Sequence, residues 1–153
     1  MNGPERTPPR RRYGTSAEAI CDDRFQIRDG FRSMNEQAAW RPMSPEEAGV
    51  IRAIVSAAGM RRGDALLEDL NGALVSNSTP WILDVRTAVA GDGSDLPDGP
   101  FPARAFVPTG EAYRGEIIIW LTEGHVSGLE YAWITEEAPT RWPRRDEMEI
   151  VPQ

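Results

Sequence analysis

Hydrophobic and polar positions are patterned most clearly between Gly115 and Thr135, in the stretch GEIIIWLTEGHVSGLEYAWIT. Its first half contains Ile117-Ile118-Ile119-Trp120-Leu121, a β-branched and aromatic run without charge. Its second half alternates, with Leu129, Tyr131 and Trp133 on one face and Glu130 and Ala132 on the other. Glu123-Gly124 lies between the halves. Period-two alternation around a short Gly-containing break predicts a β-hairpin.

A different period governs the segment before it. Ser44-Pro45-Glu46-Glu47 is a helix start. Ser44 can accept from the amide of Glu47, Glu47 can reach back to Ser44, and Pro45 sits where a missing N–H costs nothing. Val50, Ile51, Ile54, Val55 and Ala58 follow at helical spacing, and Gly59 supplies a left-handed C-terminal residue. A shorter helix is predicted from Asp64 to Leu70, with Leu66, Leu67 and Leu70 inward and Gly72 ending it. Strands are predicted over Ala73–Ser76, Trp81–Val89 and Ala103–Val107, and Gly91–Pro102 reads as a loop rich in Gly, Pro and Asp. Pro139, Pro143 and Pro152 restrict the tail to a short edge strand near Glu149–Val151. The expected fold is α+β, with two N-terminal helices packed on one face of an antiparallel sheet of four to six strands.

The first residues carry no sustained period. Pro4, Pro8 and Pro9 precede Arg10-Arg11-Arg12 and Gly14-Thr15-Ser16. Residues 1–37 are therefore expected to be a poorly ordered N-terminal extension, and residues 38–153 a single globular domain. Translation starting at Met34 is a second reading of the same pattern, because the globular signal begins only at Trp40. The start has no apolar segment of the secretory kind, and no apolar run approaches the roughly 18 to 20 residues that span a bilayer. No membrane association is expected, and the cytoplasm is the expected compartment. The single Cys21 precludes an internal disulfide and fits a reducing environment.

Charge narrows the chemistry. The formal net charge is −7, and every basic residue is arginine. Without lysine there is no Walker-type phosphate loop and no Schiff-base catalysis. Residues 35–153 hold ten arginines against nineteen carboxylates. That balance argues against nucleic-acid binding and is compatible with a basic protein partner. One Cys and one His cannot supply a zinc site. Asp92, Asp95 and Asp98 suggest calcium, but the EF-hand spacing from Asp92 puts Leu96 at the fifth position and Ala103 at the twelfth. Gly91-Asp92-Gly93 starts a dinucleotide fingerprint that fails at Leu96 and Pro97. Neither metal nor cofactor is expected.

His125 is the sole histidine and the only candidate general base, with Glu130 or Glu123 as its orienting carboxylate. A Cys21–His125 nucleophilic pair would need an ordered Cys21, and no G-x-S-x-G elbow is present. Neither outweighs a plain polar residue after a turn, so no catalytic residue is assigned. Among five tryptophans, most suit a core, and Trp120 and Trp133 are expected to be aromatic neighbours on facing strands. Trp142, between Arg141 and Pro143, is the best exposed anchor. With the acids at the end of the hairpin it defines the expected partner-binding set: Glu130, Glu136, Glu137, Arg141 and Trp142.

Two blocks resemble a group of small uncharacterised α+β proteins of GC-rich bacteria. One is Trp40-Arg41-Pro42 through Glu47; the other runs from Gly115-Glu116 through Leu129-Glu130-Tyr131 into Thr135-Glu136-Glu137-Ala138-Pro139 and Trp142-Pro143. Glu136 and Ala138 depart from the group's tail pattern. The resemblance implies a related fold and carries over no activity or catalytic residue. The functional expectation is a non-catalytic cytoplasmic interaction protein that binds a basic partner, in the manner of immunity proteins or antitoxins. The alternative is a small-molecule-binding domain or cryptic enzyme with a pocket between helices and sheet.

Overall fold

The computed structural model describes residues 39–153, apart from 62, 89–90 and 111. The extension over 1–37, with Cys21, Phe25, Ile27 and Phe31, lies outside the described residues. The described chain opens on a two-residue strand, β1 (Arg41–Pro42), followed by α1 (Pro45–Ala58) and α2 (Gly63–Glu68). Strands β2 (Leu74–Thr79), β3 (Ile82–Arg86), β4 (Gly99–Pro100), β5 (Ala103–Thr109), β6 (Ala112–Thr122) and β7 (His125–Trp133) come next. A 3₁₀ turn (Arg145–Glu147) and β8 (Glu149–Pro152) end the chain.

All eight strands join one antiparallel sheet, in the order β1-β2-β3-β7-β6-β5-β8, with β4 beside β6. The α+β class is as expected. Four to six strands was too few, and a strand, not a helix, comes first among the described residues. The two additional strands, β1 and β4, are two residues long and contain proline, so they carry no alternation to read. Backbone hydrogen bonding to a longer neighbour makes them strands.

The α1 signals act as their chemistry requires. Ser44 Oγ accepts from Glu47 N at 3.2 Å, and Ser44 N donates to Glu47 Oε2 at 2.8 Å. Gly59 closes the helix with φ 60°. Glu47 is buried and also receives both arms of Arg41, at 3.0 and 2.6 Å, while Arg41 reaches Asn77 at 2.9 Å. The Glu47–Arg41 pair thus fastens β1, α1 and β2 together. Burial alone pushes Glu47 upward, but Arg41 and Ser44 pull harder, and its carboxyl sits below the usual range.

The core lies between α1 and one face of the sheet. Val50, Ile51, Ile54 and Val55 of α1 are buried together with Val75, Leu83, Ala105, Ile117, Ile119 and Leu129. The strand partners are consistent: Leu83 faces Leu129, which faces Ile119, and Ile117 faces both Ala105 and Tyr131. Gly115 is required where β6 passes β7, because a Cβ there would collide with the Ala132 carbonyl and the Trp133 backbone.

Candidate functional site

Two features outside the core carry chemistry: the sheet face turned away from α1, and a cavity beside the β6–β7 turn. The first follows from strand parity. Ile117, Ile119 and Leu121 point into the core, so Glu116, Ile118 and Trp120 point away from it. Register extends this face across the sheet. Ile118 is opposite Glu130, and Glu130 is opposite Ile82; Trp120 is opposite Gly128, and Gly128 is opposite Asp84. On the other side Glu116 is opposite Phe106, and Phe106 is opposite Glu149.

The face has an aromatic and aliphatic floor with acids set among it. Trp120 and Ile82 are each 38% exposed. A Cβ at Gly128 would lie 3.3 Å from Trp120 Cβ and 3.4 Å from its Cδ1, so the indole rests beside a bare backbone. The indole Nε1 donates to Glu130 Oε2 at 3.1 Å. Phe106 and Tyr113 stack at 4.9 Å, and Tyr113 donates to Glu149 at 2.9 Å. Four carboxylates occupy the face, from Asp84, Glu116, Glu130 and Glu149. Two guanidiniums share the face: Arg104 offsets Glu116 through a fork of 2.9 and 2.8 Å and lies 4.6 Å over the Phe106 ring, and Arg86, two residues beyond Asp84, lies 4.2 Å over the Trp40 ring.

The residues chosen from sequence do not converge. Glu130 lies on this face, half-buried under Trp120. Glu136 and Glu137 are exposed in the segment after β7. Arg141 is held by Glu147, which also accepts from the Arg144 amide, and the two donors draw the Glu147 carboxyl down to about 2. Trp142 is only 8% exposed, against the expected exposed anchor. Its ring packs at 5.5 Å from Trp81 and 6.1 Å from Tyr131, an aromatic group that closes the core. Trp120 and Trp133 are not neighbours either: Trp120 pairs with Gly128 and Trp133 with Gly115, on opposite faces. Trp120 does not stand out in the sequence because five apolar residues in a row look uniformly buried. The signal was its even position between Ile119 and Leu121.

The cavity measures about 430 Å³ and is lined by Asp64, Ala65, Glu68, Asp69, Gly91, Asp92, Gly93 and His125. His125 Nδ1 lies 2.9 Å from Asp69 Oδ1, and Asp69 Oδ2 accepts from Val126 N at 3.0 Å. The orienting carboxylate is therefore Asp69, not Glu130 or Glu123. Asp69 was legible in principle, being three residues after buried Leu66 and next to buried Leu70, in the turn that follows α2. The hydrogen bond to Asp69 raises the His125 pKa; partial burial opposes this, while the Gly91 carbonyl and the Glu123 charge support it. The nearby hydroxyl, Ser94 Oγ, is buried and donates to Gly124 O at 2.9 Å, away from the ring. Among the described residues no group of three or more His, Cys, Asp or Glu side chains could hold a metal ion, and no helix is long and apolar enough to cross a membrane.

No family model, curated protein or solved structure matches this chain.

Proposed function

We propose that this protein is a cytoplasmic docking module that takes a basic protein segment on the sheet face turned away from α1. The observation that carries the reading is Trp120, a large ring held by Glu130 and left 38% exposed amid four carboxylates. An aromatic anchor with hydrogen-bonding capacity is the common centre of a binding hot spot. The surrounding acids select the sign of the partner, since complementary charge steers encounter and rejects like-charged competitors. An arginine- or lysine-rich segment fits: its aliphatic stems would lie on Ile82 and Ile118, and its cations would meet Asp84, Glu130 and Glu149. Neutralising a basic effector, as an immunity protein or antitoxin does, is one use of such a face.

The small-molecule alternative is supported by the cavity at His125, whose walls are largely acidic. Paired baits separate the two. Wild type, Trp120→Ala and Glu130→Arg are immobilised, with folding checked by circular dichroism. The proposal expects a protein with a basic contact surface on the wild-type bait, released by salt and lost from both variants. Equal retention on all three baits would remove the face from the account. A metabolite that co-purifies and is lost on substituting Asp64 or Asp92 would support the alternative.

A further inference from the structure

A second cavity, of about 330 Å³, lies at the edge of the core where β5 turns into β6. Val107 of β5 is opposite Gly115 of β6, and the next pair is Pro108 with Tyr113, so Arg114 is an extra residue without a partner across the ladder. A bulge of this kind re-aims a side chain. Tyr113 stays on the outer face against Phe106, while Arg114 joins Val107 and Tyr131, both buried, in the cavity wall. Arg41, Arg104 and Arg141 each pair with a carboxylate; Arg114 meets none among the described residues. Tyr131 is 2% exposed, its ring 5.8 Å from Trp81 and 6.1 Å from Trp142. Its hydroxyl has no hydrogen-bond partner among the described residues. Ser76 Oγ is the one fully sealed polar side-chain atom in that state, so the Tyr131 hydroxyl still opens on the cavity that it lines. Burial raises the Tyr131 pKa and keeps the hydroxyl a donor. Arg141 and Glu147 line the same cavity and are tied to each other at 2.7 Å. With that pair spent on itself, the wall keeps the positive charge of Arg114, in a chain whose formal net charge is −7.

We propose that this cavity binds a small organic monocarboxylate. The Arg114 guanidinium offers a planar fork that takes a carboxylate through two parallel hydrogen bonds. Tyr131 offers an O–H with no competing acceptor, and an unmet buried donor is costly until a ligand accepts from it. Val107, Pro108 and Pro143 give the hydrocarbon part of the acid an apolar wall. The charge count sets the class. A monoanion matches the uncommitted cation of Arg114, whereas a dianion would bring a second negative charge towards Glu147 with nothing left to offset it. The volume lies at the small end of ligand pockets, which run from about 300 to 1,000 Å³. It suits an acid the size of benzoate. The site is on the opposite side of the sheet from the docking face, because Val107 and Tyr131 alternate with Phe106 and Glu130 along their strands. It rests on neither reading given above.

The test titrates the full chain alone, so its outcome is separate from that of the docking experiment. Backbone amides and tryptophan indoles are followed by NMR at constant ionic strength and about pH 8, where phosphate is largely a dianion. Acetate, butyrate and benzoate are the probes. Benzamide and benzylammonium are the neutral and cationic counterparts of benzoate, and inorganic phosphate is the dianion. The expected result is saturable binding of benzoate with a Kd on the order of 1 mM. Shifts should centre on Arg114, Tyr131 and the Trp142 indole, and benzamide, benzylammonium and phosphate should not saturate. Arg114→Gln should weaken benzoate about tenfold, and Tyr131→Phe, which keeps the ring and its packing, about fivefold. Failure of all three carboxylates to saturate overturns the proposal. So does benzamide or phosphate binding as well as benzoate, or unchanged affinity in either variant. Should Tyr131→Phe fail to fold, Arg114→Gln, at an exposed position, decides alone.

Discussion

Ser76 Oγ is buried without a hydrogen-bond partner, on a residue only 1% exposed. A buried hydroxyl in that state carries a desolvation cost of about 1 to 3 kcal/mol with nothing to offset it. Ser76→Ala should therefore leave stability unchanged or raise it in urea denaturation, whereas most buried truncations lower it. Trp142 is the opposite case. Its ring fills space between Trp81 and Tyr131, so Trp142→Ala should cost about 3 to 5 kcal/mol and should be seen in the isolated protein. A merely surface-exposed anchor would cost almost nothing there. Sequence could not separate these roles for tryptophan: Trp142 between Arg141 and Pro143 has polar neighbours in the chain, and only the fold turns its ring inward.

At the scale of elements, a local signal is legible where a single element contains it. The capping box at Ser44 and Glu47, the Val50–Ala58 stripe and the Gly59 stop all lie within one helix, and all are realised. Ser44→Ala should cost about 1 kcal/mol, and Ile54→Ala about 2 to 5 kcal/mol, since Ile54 is 1% exposed; thermal or denaturant melts give both. Contacts between elements were not legible in the same way. The Asp69–His125 pair joins residues separated by 56 positions, and β4 exists only because Gly99 and Pro100 lie alongside Leu121 and Trp120. The hairpin turn is intermediate. Gly124 was an obvious turn residue, with φ 77°, but Glu123 also adopts positive φ, at 53°, and its amide is held there by Asp98. That support comes from a loop whose sequence suggests no partner.

For the whole molecule, the titrating groups define a stability optimum. Glu47 is held below the ordinary carboxylate range, and Glu147 down to about 2. Their contributions are present above the unfolded carboxylate value of about 4.3 and are lost as pH falls through the folded values. His125 is held above the ordinary histidine value. Its contribution is complete below about 6.5 and is lost as pH rises through the folded value. Denaturant midpoints should thus peak in mildly acidic solution and decline on both sides. Asp69→Asn, which removes the charged partner of His125, should flatten the alkaline decline.

The same whole-molecule view gives the docking account its sharpest test, because Trp120 and Trp133 are equally exposed, at 38%, on opposite faces of the sheet. Hydroxyl-radical footprinting of the protein, with and without its captured basic partner, reads both rings in one experiment. The partner should suppress oxidation of Trp120 and leave Trp133 as reactive as before. Protection of Trp133 with Trp120 unchanged, or no protection of either, would contradict it.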